Sequence, residues 1–284
     1  MGLYELTERL EELEGLDPIG DKLADVVSRV IPHGTLKDLL SGTWLGHSLH
    51  PVLTDVPIGT WFSASALDVL GGEETEGAAE FLIGAGLLAA VPTVASGLTD
   101  WSDTIGGERR VGLLHAAGNA TVTVLYGASL WARRRGKRGL GVFLGLSGAG
   151  VATLSAYLGG HLSLSLGVGV NQTAFEAGSA EWRSTVPADA LGADPLLVDV
   201  DGTAVVLVRK GDEIQALANR CSHLGGPLNE GEVRDHTITC PWHLSTFDLE
   251  DGSVVNGPAR APQPGYDVRI EGGRIELRRR AADH

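Results

Sequence analysis

The two cysteines of this 284-residue chain, Cys221 and Cys240, each have a histidine close behind, in Cys221-Ser222-His223 and Cys240-Pro241-Trp242-His243. Thiolate and neutral imidazole are donors that transition metals select. A mixed-ligand iron–sulfur centre takes two thiolates on one iron and two imidazoles on the other. Two elbows that each supply one donor of each kind meet that need. Structural zinc is the competing reading, since it uses the same side chains. Zinc sites more often pair like with like, as C-x-x-C with H-x-x-x-H, than in the alternating order found here. Glycine and proline accompany both elbows, at Gly225, Gly226, Pro227 and Pro241, and small residues let backbone N–H groups approach sulfur.

The segments CSHLGGPL, CPWHLSTF and GPARAPQPGY resemble the Rieske [2Fe-2S] domain, and the resemblance covers about the last hundred residues. It implies Cys221 and Cys240 on the buried iron and His223 and His243 on the outer, redox-active one. It also implies a proline loop around Pro262 over the cluster, with Gly225, Trp242, Ser245 and Phe247 in the surrounding shell. Quinol-oxidising members of that family add two cysteines that tie the loops by a disulfide. Here Gly226 and Trp242 stand in those places. Such members also hydrogen-bond the sulfurs with a serine and a tyrosine hydroxyl; Ser245 keeps the first and Phe247 lacks the second. The implied potential is therefore below the top of the roughly −150 to +300 mV range of these centres. Leu244 replaces a common glycine, which makes the backbone after His243 a point of interest.

The elements that must hold these elbows follow from the flanking pattern. The apolar runs PLLVDV, TAVVLVRK and EIQALANR alternate with the turn signals Asp201-Gly202 and Lys210-Gly211, which predicts a compact antiparallel β domain over 182–280. A Ser-, Gly- and Ala-rich linker over 166–181 precedes it. Upstream, Ala, Leu, Gly and Val dominate four stretches, roughly 49–70, 78–98, 111–132 and 139–160, each about the twenty residues needed to cross a hydrocarbon core. Asp55, Asp68 and Glu80 interrupt the first two, so a soluble Gly/Ala-rich bundle competes. The third and fourth carry no Asp, Glu, Lys or Arg in their cores, and the run Gly145–Gly150 suits close helix packing in lipid. The text LGHSLHPVLTDVPIGTW, SGLTDW and LGGHLSLSLGVGVN resembles the domain of unknown function 2231, which implies a four-helix membrane domain over 43–165. Residues 1–42 are polar and acidic with helical spacing, expected as surface helices, and they show no cleavable signal pattern. The expected fold is thus an all-α four-helix transmembrane bundle followed by a small all-β iron–sulfur domain.

Four histidines gain meaning once the crossings are counted. His47 and His50 lie at the start of the first long helix, His115 one turn into the third and His161 at the close of the fourth. Alternating crossings put all four at one membrane face. They suggest a haem b between two histidines, a quinone pocket or a second metal; interfacial histidines bonded to backbone or water are the plainer reading. Asn119, four residues after His115, extends a polar stripe on the same helix face.

The formal charge of −14, from 22 basic and 36 acidic residues, argues against nucleic acid as a partner. The expected function is a membrane-bound one-electron carrier, serving a redox partner protein or passing electrons to a haem or quinone in its own helices. A ferredoxin-like donor to a separate oxygenase or reductase is the alternative, and a non-redox membrane scaffold or sensor with a structural metal is the third. A self-contained oxygenase would need a two-His, one-carboxylate iron site, and about forty residues follow His243. The basic run 133–138 argues by the positive-inside rule for an external C-terminal domain. Cluster acquisition inside the cell, with no twin-arginine signal, argues for the cytoplasmic face of the cytoplasmic membrane, which is the expectation.

Overall fold

The computed structural model describes residues 2–176 and 178–281. Among these, seven α-helices are followed by ten β-strands, so the α-then-β layout expected from the sequence holds. The chain divides into two compact units, one of Met1–Pro32 with Leu49–Val168 and one of His33–Ser48 with Gly169–His284.

The first unit is helical. α1 (Leu3–Glu11) and α2 (Asp17–Val30) precede four long helices, α4 (Leu49–Leu70), α5 (Glu76–Ser102), α6 (Gly106–Arg134) and α7 (Arg138–Leu164). The long helices coincide with the four apolar stretches but run past three of them, because their end turns take charged residues such as Glu76 and Arg133 that suit the helix dipole. Pro51 sits in the first turn of α4, where its missing N–H costs nothing. At the other end of the bundle Gly136 takes φ +70°, which lets Lys137 N–H bond back to Ala132 C=O at 3.0 Å and turns α6 directly into α7. The result is two helical hairpins, α4 on α5 and α6 on α7. α1 and α2 are fastened to them by polar contacts: Arg110 grips Asp17 with two 2.6 Å bonds, Arg109 reaches Asp21 at 2.6 Å, and His161 meets Glu11 at 2.8 Å.

The distribution of polarity in this bundle is inverted relative to a water-soluble one. Its interior holds Ser65, Thr93, Ser96, Thr99, Ser129, Ser155 and the ion pair of Asp68 with Arg133, beside a short apolar core of Trp61, Ile83, Val122 and Tyr126. Its exterior carries the large apolar side chains, with Phe81 73% and Leu88 77% exposed on α5 and Leu154 68% exposed on α7. α5 (with the turn before it) and α7 are long and apolar enough to cross a membrane; α4 and α6, which bring in the buried Asp68 and Arg133, are not among the helices that meet that measure.

The second unit is built from three antiparallel sheets. β1 (Arg183–Pro187), β10 (Arg274–Arg279) and β9 (Tyr266–Glu271) form one; β2 (Leu196–Val200), β3 (Thr203–Lys210) and β4 (Glu213–Ala218) a second; β5 (Glu232–Arg234), β6 (Thr237–Thr239), β7 (Thr246–Asp248) and β8 (Val254–Asn256) a third. β3 explains the unbroken run AVVLV. Side chains alternate along a strand, so Val205 and Leu207 enter one core while Val206 and Val208 enter another. The second core also contains both cysteines, with Leu217, Leu228, Ile238, Phe247 and Leu249. The segment 33–48, with α3 (Thr35–Ser41), belongs to this unit as well: Arg260 Nε donates to Ser41 C=O at 2.6 Å, and Asp38 and Thr43 lie against Gly257.

Candidate metal centre

The two elbows are the same turn built twice. Cys221 lies between β4 and β5, and Cys240 between β6 and β7. In each, the cysteine N–H bonds to the carbonyl five residues on, Gly226 at 2.8 Å and Ser245 at 2.8 Å, and its carbonyl accepts from the N–H four residues on, Gly225 at 2.9 Å and Leu244 at 3.1 Å. That closure bends the following amides toward the sulfur. The N–H groups of His223 and Leu224 point at Cys221, and those of Trp242 and His243 at Cys240. Gly226 completes the cradle, since a Cβ there would stand 2.7 Å from the Cys240 sulfur.

Both cysteines are buried and lie side by side. The hydrogen bond between them holds the Cys240 thiol down to about 7, helped by the Trp242 and His243 amides, while the same bond and burial push Cys221 up. The imidazoles of His223 and His243 form the other side of the site, with ring centres 5.1 Å apart and planes nearly perpendicular. His223 is only 7% exposed, and burial pushes its imidazole well below the ordinary range, which keeps it in the neutral form a metal requires. His243 is half-exposed, flanked by the exposed side chains of Trp242 and Leu244.

Among the described residues no three His, Cys, Asp or Glu side chains converge on one ion-sized point. A zinc ion demands such convergence, usually of four ligands at about 2.0–2.3 Å. A paired thiolate set and a separate paired imidazole set instead fit a group of two irons whose own sulfides complete each coordination sphere.

Residues 181–267 match the family described as Rieske [2Fe-2S] domain, and residues 46–172 match the one described as predicted membrane protein (DUF2231). The chain is similar to the anthranilate 1,2-dioxygenase ferredoxin subunit of Burkholderia cepacia, 34% identical over 103 residues that make up 36% of this chain and 95% of that protein. The chain belongs to the Rieske [2Fe-2S] family. It is also similar to the 3-phenylpropionate/cinnamic acid dioxygenase ferredoxin subunit of Escherichia coli K12, 35% identical over 31% of this chain and 83% of that one. Among solved structures it is similar to the ferredoxin of carbazole 1,9a-dioxygenase from Nocardioides aromaticivorans IC177, at 32% identity, 35% and 98% coverage and a TM-score of 0.34.

A Rieske domain carries a [2Fe-2S] cluster, which supplies one reversible electron when bound, and the surrounding residues divide the work of holding it. Ser245 is fully buried and its hydroxyl oxygen accepts the Ala259 N–H at 3.0 Å, which ties the second elbow to the loop after β8. Phe247 is buried with the cysteines and fills the core without a polar atom. Pro262 is exposed on the loop between β8 and β9. Its neighbour Gln263, which sequence reasoning missed, is the residue that pins this loop. Its amide nitrogen donates to the carbonyls of Ala218 and Arg220 at 2.7 and 2.6 Å, and its oxygen accepts the Ser222 N–H at 3.1 Å.

Leu244 takes φ +59° at the position equivalent to Gly225, φ +79°, in the other elbow. The left-handed conformation costs an L-residue about 1–2 kcal/mol, whereas glycine adds about 0.5–1 kcal/mol of unfolded-state freedom. Leu244 is 48% exposed, so its side chain contributes little packing. Leu244→Gly is therefore expected to stabilise the Rieske unit by about 0.5–1 kcal/mol, read as a higher midpoint when loss of the cluster's visible absorbance is followed in denaturant. A midpoint equal to or below that of the parent would contradict this account.

The structure separates the four membrane-half histidines. His50 and His115 stand together, with ring centres 6.5 Å apart. His161 is buried against Glu11 at 2.8 Å and beside Tyr4. His47 is exposed on the turn before α4 and is grouped with the other unit.

Proposed function

We propose that the chain is a membrane-anchored Rieske ferredoxin, a one-electron carrier whose cluster is ligated by Cys221, Cys240, His223 and His243. The observation that carries this reading is the pairing of a buried dithiolate with a half-exposed imidazole edge. His223 is enclosed, so His243, framed by Trp242 and Leu244, is the side at which a redox partner protein gains the shortest approach. The two curated relatives described above are ferredoxin subunits of dioxygenases, which supports an oxygenase or reductase as that partner. Onward transfer to a haem or quinone within the helical unit is the finer form of the same reading.

The anchor rests on the inverted bundle. Polar residues inside and large aliphatic and aromatic residues outside are the arrangement that lipid favours, and the match to a predicted membrane protein family supports it. The basic run gains a structural role from its partners. Arg133 is buried on Asp68, Arg134 lies 3.7 Å from Glu80 and Arg138 lies 3.4 Å from Glu76. Three of its charges thus serve helix packing, which lightens its weight as a topology signal and favours a cytoplasmic Rieske unit.

The test is EPR on dithionite-reduced membranes after an alkaline carbonate wash. A signal of inequivalent irons that stays in the washed membrane is expected. A signal found only in the soluble fraction would remove the anchor, and a silent sample with bound zinc would leave the structural-metal reading standing.

A further inference from the structure

The helical unit is a duplicated hairpin, and its symmetry is visible in packing more than in residue identity. His50, Trp61 and Asp68 on α4 correspond to His115, Tyr126 and Arg133 on α6, each pair 65 positions apart. Gly86, Thr93 and Gly97 on α5 correspond to Gly148, Ser155 and Gly159 on α7, each pair 62 positions apart. The contacts repeat as well. A Cβ on Gly86 would collide with Trp61 and one on Gly148 would stand 3.0 Å from Tyr126, while a Cβ on Gly97 would stand 2.7 Å from His50 and one on Gly159 2.9 Å from His115. The hydrogen bonds repeat too: His50 Nδ1 meets Thr93 C=O at 3.0 Å and His115 Nδ1 meets Ser155 C=O at 2.8 Å. Corresponding residues then meet their counterparts. Trp61 stacks on Tyr126 at 4.6 Å, Asp68 pairs with Arg133, and His50 faces His115. Spacings of eleven and seven residues are close to three and two helical turns, so the three pairs form rungs along one local two-fold axis.

The stacked rings and the ion pair satisfy each other. The histidine rung is different, because two neutral imidazoles have no mutual attraction of that kind. A carbonyl can only accept, so each Nδ1 must carry the proton, and each Nε2 is then the nitrogen with a lone pair. Asn119 Nδ2 donates to that lone pair on His115 at 3.0 Å, and must turn aside for a metal to take its place. An Nδ1–H bond to a backbone carbonyl is the usual way a protein orients a metal-binding imidazole.

We propose that His50 and His115 are the two axial ligands of a haem iron held on this axis. The donor count selects the ligand. Zinc, copper or a non-haem iron would draw three or more protein ligands, and among the described residues no third His, Cys, Asp or Glu joins this pair. Haem brings four nitrogens of its own and asks the protein for two. The separation agrees, since a metal–imidazole bond of about 2 Å on each side plus the half-width of each ring comes close to the observed 6.5 Å. At this level the other two helices present small residues, Thr93 and Gly97 on α5 and Ser155 and Gly159 on α7, so a flat macrocycle meets no large side chain from them. The site deepens the reading of the chain as an electron carrier, on which its physiological use rests, but its occupancy is measured independently of the cluster.

The experiment uses the full chain, expressed with 5-aminolevulinate and extracted in mild detergent, with haem measured by the pyridine haemochrome and the cluster by EPR on the same sample. One haem per chain is expected. His50→Ala and His115→Ala should each lose it while keeping the cluster signal, and His47→Ala and His161→Ala should keep both. His115→Met guards against a folding defect, because methionine preserves an axial ligand and should move the haem midpoint upward. Absence of haem from the parent, haem retained in both alanine variants, or a divalent metal lost from those variants in its stead would each overturn the proposal. Loss of the cluster signal in the parent with haem present would instead sink the ferredoxin reading and leave this site standing.

Discussion

Cys240→Ala is expected to abolish the cluster completely, taking iron and acid-labile sulfide from two of each per chain to none while leaving the helical content of the first unit unchanged. The reason lies in the way the elbow is built. The Cys240 sulfur is buried and stands beside Gly226, in a space where the two loops meet and four backbone amides converge. An alanine there leaves the Trp242 and His243 amides facing no acceptor and one iron short of a thiolate, and metal affinity is coupled to formation of the whole site. His243→Ala should have the same effect on the EPR signal by removing a nitrogen from the other iron. Trp242→Ala is the control, because that side chain is exposed and should leave the cluster in place. Iron retained at parental stoichiometry in Cys240→Ala would contradict the ligand set.

The parts of this molecule that were legible in the sequence are those whose causes are local. The two elbows are short enough that donor type, spacing and turn residues all fall within eight positions, so their chemistry reads directly. The four long helices read from continuous apolar stretches, with ends displaced where charged terminal turns extend them. β3 reads as a strand but not as a double-faced one, since burial on both sides depends on sheets assembled from distant strands. Gln263 had no local signal, because its partners are the backbone of Ala218, Arg220 and Ser222, some forty residues earlier. Residues 33–42 read as a continuation of the polar N-terminal helices and 43–48 as the start of the membrane domain, yet the whole segment belongs to the second unit and packs on the loop of Gly257 and Arg260, a contact between chain positions more than two hundred apart. The duplication was hidden for a different reason. Three of its six paired positions exchange Trp for Tyr, Thr for Ser and Asp for Arg, and the three that keep identity are scattered histidines and glycines, so the partner is preserved where the residue is not. The exchange of Asp68 for Arg133 makes the charged rung complementary, where strict repetition would have placed like charges together.

The charged rung supplies the largest expected effect on the helical unit. Arg133 and Asp68 are almost wholly buried, with side chains 0% and 2% exposed, and Arg133 Nε also donates to Ser129 Oγ at 3.3 Å. Removing one partner from a buried pair strands the other charge and typically costs about 3–5 kcal/mol. Arg133→Leu and Asp68→Leu should therefore each lower the thermal midpoint of the detergent-extracted protein sharply, with Arg133→Leu the worse because Ser129 also loses a donor. Replacing both charges removes the desolvation cost along with the attraction, and such exchanges are commonly neutral or stabilising by about 1–4 kcal/mol. Asp68→Leu combined with Arg133→Leu should then recover most of the loss, giving a coupling energy of several kcal/mol in the double-mutant cycle. Additive losses in the double variant would mean that the two side chains act separately, as lipid- or water-facing groups, and the rung would cease to be a reason for the two hairpins to pair. A recovered double variant that still binds haem would show that the axis is held by packing of Trp61 on Tyr126, with the ion pair serving chiefly to fix which hairpin face meets which.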